Sequence, residues 1–289
     1  MNPSQADDFY RDVPPTQRQR LLDFRAAHPA KAFRVAGVDW PYLAGGQGKK
    51  TILLLAGAFL CADMWFYPIG ELEADFRILA PDTNMLSGLS ARQALDALPR
   101  LLDAEGVEKV AIVGFSAGGG LAQMLLQEHP ERVTRVVFSH TGVIETRPGV
   151  ETQIRRLAWL VRVLPLAVSR RVLLHKTSGN VPASSAWKAF HDAYFRESSA
   201  AISKDLLVRF LENGLELRRD YRYQPLTDWP GRMLILSSRD DAVTLPSLEK
   251  LRERHPNAQV HLFNEGGHHT FMLYPETYTT VLTNFLITD

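Results

Sequence analysis

A serine that lies between two glycines, directly after a strand-like run, constrains the fold of this chain most strongly. Residues 110–113 are apolar and mostly β-branched, and they lead into Gly114-Phe115-Ser116-Ala117-Gly118. Residues 121–126 then carry apolar side chains at helical spacing. This order of strand, sharp turn and helix predicts that the hydroxyl of Ser116 projects from the end of a buried strand. The two glycines fit a turn in which a larger side chain would collide with neighbouring backbone.

The rest of the chain alternates strand-like and helix-like patterns. Strands are predicted at residues 32–40, 51–55, 76–80, 110–113, 133–138, 233–236 and 259–263, and helices at residues 91–102 and from Pro275 to the end. Such alternation is typical of a mostly parallel sheet with helices on both faces. We therefore predict an α/β fold with a mostly parallel central β-sheet flanked by helices.

One long segment interrupts this alternation. Residues 142–228 contain no convincing buried strand, and their apolar side chains recur at helical intervals. We predict that this segment is a helical cap. The cap is inserted into a core made of residues 31–141 and 229–289, and residues 1–30 form an N-terminal extension.

Composition and charge argue against several classes of protein. The chain has 289 residues, a net charge of +1 and one cysteine. A near-neutral charge argues against a nucleic-acid-binding surface, and a single cysteine excludes an intrachain disulfide framework. No apolar run approaches the length of a membrane span, and neither a signal peptide nor a metal-binding or nucleotide-binding motif is visible. We expect a cytoplasmic protein that acts on a small molecule without a metal or cofactor, and the sequence leaves its oligomeric state open.

Acidic residues and histidines follow the last two predicted strands. Asp240 and Asp241 lie shortly after the sixth strand, and His268 and His269 lie after the seventh on a glycine-rich turn. Because the carboxyl ends of parallel strands meet at one edge of a sheet, we expect these side chains near Ser116. A serine hydroxyl needs a general base, and the base needs an orienting acid. The sequence therefore predicts a serine nucleophile with one of two histidines and one of two aspartates.

The order of serine, acid and histidine resembles that of the α/β-hydrolase superfamily, and the likeness extends from about residue 33 to the end of the chain. In that family a Gly-His pair precedes a Pro-Glu pair by about seven residues, as Gly267-His268 precedes Pro275-Glu276. The acid of the family ends a G-x-x-D-x-[VI] turn, which Asp241 fits if Ser238 replaces the glycine. The resemblance implies that Ser116, His268 and Asp241 form a catalytic triad, with the neighbouring histidine and aspartate as alternatives.

The resemblance also implies an oxyanion hole, with one departure from the family. Members usually carry a His-Gly pair after the second of these strands and a tryptophan nine residues beyond the histidine. Here Ala56-Gly57 occupies this place, and Trp65 keeps the spacing. The implied oxyanion donors are the backbone N–H groups of Ala58 and Ala117. Main-chain groups supply these hydrogen bonds, so alanine is chemically acceptable, but Ala56 leaves the support of the loop open.

Two functions are compatible with this sequence. The first is a carboxylesterase-like serine hydrolase that forms an acyl-enzyme on a small or medium apolar ester. The second is a catalytically weak or inactive α/β-hydrolase-like binding protein with the cap as its interaction surface. Ala56 and the degenerate loop at residues 81–88 favour the second function. The residues Phe138-Ser139-His140 resemble the maspardin-like branch of the superfamily, which is associated with protein binding as well as hydrolysis.

Several other residues are predicted to have structural roles. His140 and His175 are interpreted as cap or core residues rather than as catalysts. The apolar residues Trp159, Leu160, Leu164 and Leu166 are predicted to pack in the interior of the cap, with an acyl-binding pocket as the alternative.

Overall fold

Eight strands form one sheet in the part of the chain that the structure describes. This computed structural model describes residues 8–83, 86–145, 148–171, 181–226 and 228–288. The strands are β1 (Lys31–Val35), β2 (Val38–Gly45), β3 (Lys50–Leu55), β4 (Phe76–Pro81), β5 (Val110–Phe115), β6 (Val133–Ser139), β7 (Arg232–Ser238) and β8 (Gln259–Phe263). Their spatial order is β1-β2-β4-β3-β5-β6-β7-β8. β2 is antiparallel to β1 and to β4, and the other pairs are parallel, so the predicted fold class is confirmed.

Helices pack on both faces of this sheet. They are α1 (Pro15–Ala27), α2 (Phe66–Leu72), α3 (Ala91–Ala104), α4 (Ala117–Glu128), α5 (Val150–Val163), α6 (Lys188–Ala200), α7 (Lys204–Asp220), α8 (Leu245–Arg254), α9 (Thr270–Leu273) and α10 (Pro275–Ile287). Along β3, Ile52 and Leu54 pack in one hydrophobic cluster, and Leu53 and Leu55 pack in another. A strand whose alternate side chains enter two separate cores is buried on both sides, which explains its continuous apolar sequence.

The prediction of a single strand at residues 32–40 is wrong. The chain reverses at Ala36 and Gly37, whose φ values are 46° and 84°. Two successive positive φ angles are what a tight type I′ hairpin turn requires. The apolar residues on either side of the turn therefore belong to two antiparallel strands, β1 and β2. Alanine rarely adopts this conformation, so a turn at this position could not be predicted from residue type.

The turn at Ser116 joins β5 to α4 through a strained residue. Ser116 has φ 50° and ψ −114°, and its N–H donates to the carbonyl of Ser139 at 3.0 Å. A Cβ atom at Gly114 would lie 2.7 Å from the Cβ of Ala122 and 2.7 Å from the carbonyl oxygen of Gly118. A Cβ atom at Gly118 would lie 2.3 Å from the carbonyl oxygen of Leu55. Glycine at both positions therefore allows helix and strand to approach closely enough to expose the serine.

Replacing Gly118 tests this close approach. We expect Gly118→Ala to lower the free energy of unfolding by about 3 kcal/mol or more, because the contact is with backbone that cannot move aside. Chemical denaturation measures the change. Gly70→Ala is the control, since the nearest atom to a Cβ there is a nitrogen of Arg20 at 3.9 Å. This control in α2 should be neutral or stabilising by about 0.5–1 kcal/mol. Equal effects of the two substitutions would contradict the account of the turn.

The segment between β6 and β7 contains α5, α6 and α7 among the residues described. α5 and α7 pack against each other. In contrast, α6 contributes Phe190 and Tyr194 to a hydrophobic cluster that also contains residues of the sheet. The hydroxyl of Tyr194 donates to Asp63 Oδ1 at 2.6 Å. The segment is helical where it is described, and its division from the core as a cap stays a prediction.

The prediction of packing in the cap interior is wrong for three of these four apolar residues. The fourth, Leu166, is half-buried and packs against a hydrophobic cluster that contains Val161. Trp159 is 60% exposed, and Leu160 and Leu164 are 41% and 37% exposed. The buried residues of α5 are instead Ala158 and Val161. Residues 157–161 form a continuous apolar run, so the sequence around Trp159 did not identify the face that packs on α7.

The carboxyl group of Asp82, which directly follows β4, stabilises the turn after β3. Asp82 Oδ1 accepts a hydrogen bond from the N–H of Ala62 at 2.6 Å. Within this turn Phe59 has φ 62°, a left-handed conformation that is unfavourable for an aromatic residue. Burial raises the pKa of Asp82 to about 6, and the nearby charge of Asp63 adds to the shift, whereas the bond from Ala62 opposes it. The carboxyl group therefore binds its proton more tightly in the folded chain than in the unfolded one.

This shift predicts a pH-dependent stability. Stability falls as pH rises from the ordinary value of 3.8 to about 6, because the folded state holds the proton over this range and the unfolded state releases it. Asparagine cannot ionise and keeps an oxygen that accepts from Ala62. We expect Asp82→Asn to stabilise the protein by about 1–2 kcal/mol at pH 8 and to have little effect at pH 4, measured by urea unfolding.

The exposed Asp23, which bonds to Gln19, supplies the control for this experiment. Asp23→Asn should leave stability nearly unchanged at both pH values. Loss of stability in Asp82→Asn at pH 8 would show that the ionised carboxylate is favourable, contrary to this account.

Candidate active site

Ser116, His268 and Asp241 lie together at the carboxyl edge of the parallel strands. They follow β5, β8 and β7 in that order. His268 Nε2 lies 2.9 Å from Ser116 Oγ, and His268 Nδ1 lies 3.1 Å from Asp241 Oδ2. One imidazole ring therefore bridges a hydroxyl and a carboxylate. This is the hydrogen-bond geometry of a nucleophile, a base and an orienting acid.

Asp241 is fully buried, at 0% exposure, and its oxygens accept several hydrogen bonds. Oδ1 accepts from the N–H groups of Val243 at 2.9 Å and Thr244 at 3.1 Å, and Oδ2 accepts from the hydroxyl of Thr244. Burial by itself raises the pKa of this carboxyl group. Hydrogen bonds from His268 and Thr244 and the charge of His268 outweigh burial, so the pKa lies below its ordinary value. The carboxylate therefore remains ionised beside the imidazole.

Asp240 and His269, the alternatives to Asp241 and His268, make other contacts. Asp240 accepts hydrogen bonds from the N–H groups of Gly266 and Gly267 at 3.2 and 2.9 Å. It therefore holds the backbone of the turn that carries His268. His269 is buried, and its Nδ1 lies 3.0 Å from Nε2 of His191. Burial, the largest cause, places the pKa of His269 well below the ordinary value, so this ring is neutral.

His140 is a core residue, as expected, and it connects the two turns of the site. Its Nε2 lies 3.1 Å from both Ser238 Oγ and Thr270 Oγ1, and these two hydroxyl oxygens are 2.5 Å apart. All three side chains are fully buried. Ser238 lies just before the turn that carries Asp241, and Thr270 lies just after His268. Burial lowers the pKa of His140 to about 3. His175 lies outside the described residues.

Ala58 and Ala117 both line the cavity that contains Ser116. Among the described residues, neither N–H takes part in a hydrogen bond with another group of the chain. A Cβ atom at Gly118 would lie 2.6 Å from the carbonyl oxygen of Ala56. The loop after β3 therefore lies directly against the first turn of α4, and both N–H groups remain available to a ligand.

The position of the missing family histidine is apolar and buried. Ala56 is 5% exposed, and a Cβ atom at Gly57 would lie 2.7 Å from the ring of Phe115. Phe115 also meets Trp65 edge to face, with ring centroids 6.3 Å apart. Aromatic packing and the carboxylate of Asp82 thus support this loop without a histidine.

A cavity of about 450 Å³ opens beside Ser116. Apolar residues make up much of its wall, including Leu121, Val143, Ile144, Phe210, Leu217 and Val243. Phe210 and Leu217 belong to α7, so residues from the segment between β6 and β7 form part of the wall. The volume lies in the range of small-molecule sites.

Three polar residues arrange this site in a way that the sequence did not predict. They are Thr141, Thr244 and His140, the last of which was predicted only as a cap or core residue. Thr141 donates from its hydroxyl to the carbonyl of Ser116 at 2.8 Å. The sequence carries a signal for Thr244 alone. This residue directly precedes α8, a position where hydroxyl residues are common. The contacts of His140 and Thr141 join residues far apart in the chain and have no local pattern.

In the described ranges, no group of three or more His, Cys, Asp and Glu side chains is placed to hold a metal ion. No helix in these ranges has the length and apolar character needed to cross a membrane.

Comparison with known proteins identifies the family. The family model for the alpha/beta hydrolase fold matches residues 27–275. 2-Hydroxymuconate semialdehyde hydrolase from Pseudomonas putida is 31% identical over 229 residues, which cover 73% of this chain and 76% of that protein. Pimeloyl-[acyl-carrier protein] methyl ester esterase from Aromatoleum aromaticum is 28% identical over 249 residues, covering 80% of this chain and 95% of that protein.

Solved structures show the same fold. A thermophilic esterase from Thermogutta terrifontis superposes with a TM-score of 0.75 at 19% identity, covering 90% of this chain and 97% of the other. A meta-cleavage product hydrolase from Pseudomonas fluorescens superposes with a TM-score of 0.68 at 23% identity, covering 89% and 97%. From the family match and the architecture of the sheet, this chain belongs to the alpha/beta hydrolase fold family.

Proposed function

We propose that this chain is a serine hydrolase that cleaves a small or medium ester through an acyl-enzyme. Ser116 is the nucleophile, His268 is the general base, and Asp241 orients the imidazole. The observation that carries this proposal is the bridging imidazole, 2.9 Å from the hydroxyl and 3.1 Å from the carboxylate. A buried carboxylate at Nδ1 favours the tautomer whose Nε2 accepts a proton.

The reaction follows from these contacts. Ser116 Oγ attacks the ester carbonyl while His268 Nε2 takes the hydroxyl proton. The imidazolium then gives this proton to the leaving alcohol, and an ester between the acyl group and Ser116 remains. Water attacks this ester while His268 takes a proton from it. The imidazolium then gives this proton to Ser116 Oγ as the bond to the acyl group breaks, which releases the acid and restores the free serine.

Backbone groups stabilise the charge that develops on the carbonyl oxygen. We assign the N–H groups of Ala58 and Ala117 as the donors, because both residues line the cavity at Ser116. A donor of this kind is worth about 3–4 kcal/mol in the transition state. The close contact between Gly118 and the carbonyl of Ala56 supports this assignment, since it brings both backbones together.

A neutral His140 favours the same reaction. Its ring centroid lies 6.2 Å from that of His268, which carries a positive charge during the reaction. A second charge so close would disfavour this imidazolium. Because burial lowers the pKa of His140 to about 3, the ring stays uncharged at neutral pH. We assign His140 as a positioning residue that joins the two turns of the triad.

The substrate class is proposed from the cavity and one relative. A mostly apolar space of about 450 Å³ suits a small or medium acyl group. The esterase from Aromatoleum aromaticum, at 28% identity, is named for hydrolysis of a methyl ester. We propose in addition that residues 142–228 act as the cap of the site, since Phe210 and Leu217 of α7 form part of the cavity wall.

Removing the nucleophile tests the proposal. We expect Ser116→Ala to reduce kcat/KM for an activated short-chain ester, such as p-nitrophenyl butyrate, by at least about a thousandfold. The control is Ser247→Ala, because Ser247 lines the same cavity and bonds to the carbonyl of Thr244 at 3.0 Å. That variant should keep near-normal turnover. Circular dichroism confirms that both variants fold.

Near-normal activity of folded Ser116→Ala would overturn the proposal. Absence of turnover by the unmodified chain across a panel of short and medium esters would favour the hydrolase-like binding protein instead.

A further inference from the structure

Exposed apolar side chains gather on one helix of the segment between β6 and β7. In the described part of the chain, eleven large apolar side chains are exposed, and six of them lie in residues 157–168. The six, which we call the α5 patch, are Leu157, Trp159, Leu160, Val163, Leu164 and Val168. Single exposed apolar residues are common on protein surfaces, whereas a cluster of them marks an interaction surface.

The α5 patch lies away from the face of the helix that packs on the protein. Ala158 and Val161 are the buried residues of α5, and Val161 belongs to a hydrophobic cluster with Leu207 of α7. Trp159 and Val163 are 60% and 54% exposed. Because they are four residues apart, they are neighbours on the outer face of the helix. The fold therefore buries one face of α5 and leaves an apolar face exposed.

Arginines surround the α5 patch. Residues 148–180 carry five arginines and one lysine but a single acidic residue, Glu151. Arg156 is exposed and precedes Trp159 by three residues, so its guanidinium lies beside the indole on the helix surface. It also precedes Leu160 by four residues, which places it within the apolar face rather than at its edge.

Ion pairs neutralise only part of this charge. Three pairs lie along α5 or join it to α7, namely Arg155–Glu151, Arg219–Glu151 and Arg162–Glu212. The side chains of all three pairs are roughly half exposed, and such pairs are weak in water. Arg156 has no acidic partner in the described part of the chain. The exposed face therefore combines apolar side chains with a positive charge that is available to an external group.

We propose that the α5 patch docks on an anionic phospholipid membrane. In this arrangement Trp159 and Val163 enter the boundary between the headgroups and the acyl chains, and Arg156 pairs with lipid phosphate. Tryptophan favours this boundary because its ring is apolar and its N–H is polar. A guanidinium binds phosphate through charge-assisted hydrogen bonds. The inference does not depend on the proposed hydrolase function.

A second copy of the chain fits this surface less well. A symmetric dimer through α5 would place the arginines of one copy against the same arginines of the other. Like charges that meet across an interface disfavour association. An anionic lipid surface instead supplies hydrocarbon for the apolar side chains and phosphate for the guanidinium groups.

Docking at the α5 patch would also hold the cavity near the membrane. Val150, the first residue of α5, lines the cavity beside Ser116. Trp159 is nine residues further along the helix, a distance of about 14 Å. One helix thus connects the wall of the cavity with the proposed docking surface.

Vesicle binding tests the inference. The full chain is centrifuged with vesicles of phosphatidylcholine alone, and with vesicles of phosphatidylcholine and phosphatidylglycerol in equimolar amounts. We expect binding to the anionic vesicles to be at least about tenfold tighter and to weaken as salt is added, because ions screen the arginines. Lipids brominated on their acyl chains should quench the fluorescence of the bound protein. Trp159→Phe should remove most of this quenching, since the other tryptophans are buried or half-buried.

Two variants separate the apolar contribution from the charged one. Trp159→Ala should weaken binding to anionic vesicles at least about tenfold, because its ring no longer enters the lipid. Arg156→Gln should weaken binding to anionic vesicles about fivefold and leave binding to neutral vesicles unchanged. The matched controls are Leu22→Ala on α1 and Arg100→Gln on α3, which remove an exposed apolar and an exposed cationic side chain elsewhere. Neither control should alter binding, and circular dichroism confirms that all four variants fold.

Four results would overturn the inference. They are no binding to anionic vesicles at millimolar lipid, equal binding to neutral and anionic vesicles, equal losses in the α5 variants and their controls, and no quenching of the bound protein by brominated lipid. A dimer that dissociates in Trp159→Ala, in a chain that does not bind vesicles, would show instead that the α5 patch is an interface between two copies.

Discussion

The close approach of two backbones at Gly118 is the constraint on which the site depends. The first turn of α4 meets the end of β3 so closely that a Cβ atom would lie 2.3 Å from a carbonyl oxygen. This contact turns the chain sharply enough to hold the half-buried Ser116 at φ 50° in the wall of the cavity. It also brings the N–H of Ala117 to the loop that carries Ala58. One packing contact thus positions both the nucleophile and the proposed oxyanion donors.

The neighbouring carboxylates Asp240 and Asp241 show how adjacent residues serve different purposes. Asp241 accepts from the imidazole of His268, whereas Asp240 accepts from backbone N–H groups of the turn that carries the histidine. One carboxylate orients the ring and the other fixes the position of its backbone. His140 joins the same two turns through hydrogen bonds with the hydroxyl groups of Ser238 and Thr270. The proposed triad is therefore held by several long-range contacts rather than by one rigid element.

Local patterns in the sequence predict the parts of the fold that local chemistry determines. The apolar run before Ser116 predicts a buried strand, and the glycines around Ser116 predict a tight turn. The Gly267-His268 pair likewise predicts the turn that carries His268. Each prediction is possible because a buried strand or a tight turn restricts the residue type. The hairpin at Ala36 is not predicted, because alanine gives no signal for positive φ. The contacts of His140 join residues far apart in the chain, and only the folded chain brings them together.

The most direct test of the account is covalent labelling of the folded chain with a fluorophosphonate probe. Intact mass and peptide analysis should show a single adduct at Ser116. Asp241→Asn should slow labelling by at least about a hundredfold, because the imidazole loses the acceptor that fixes its tautomer. A folded chain that remains unlabelled, or labelling that does not depend on Asp241, would contradict the claim that Ser116 is an activated nucleophile.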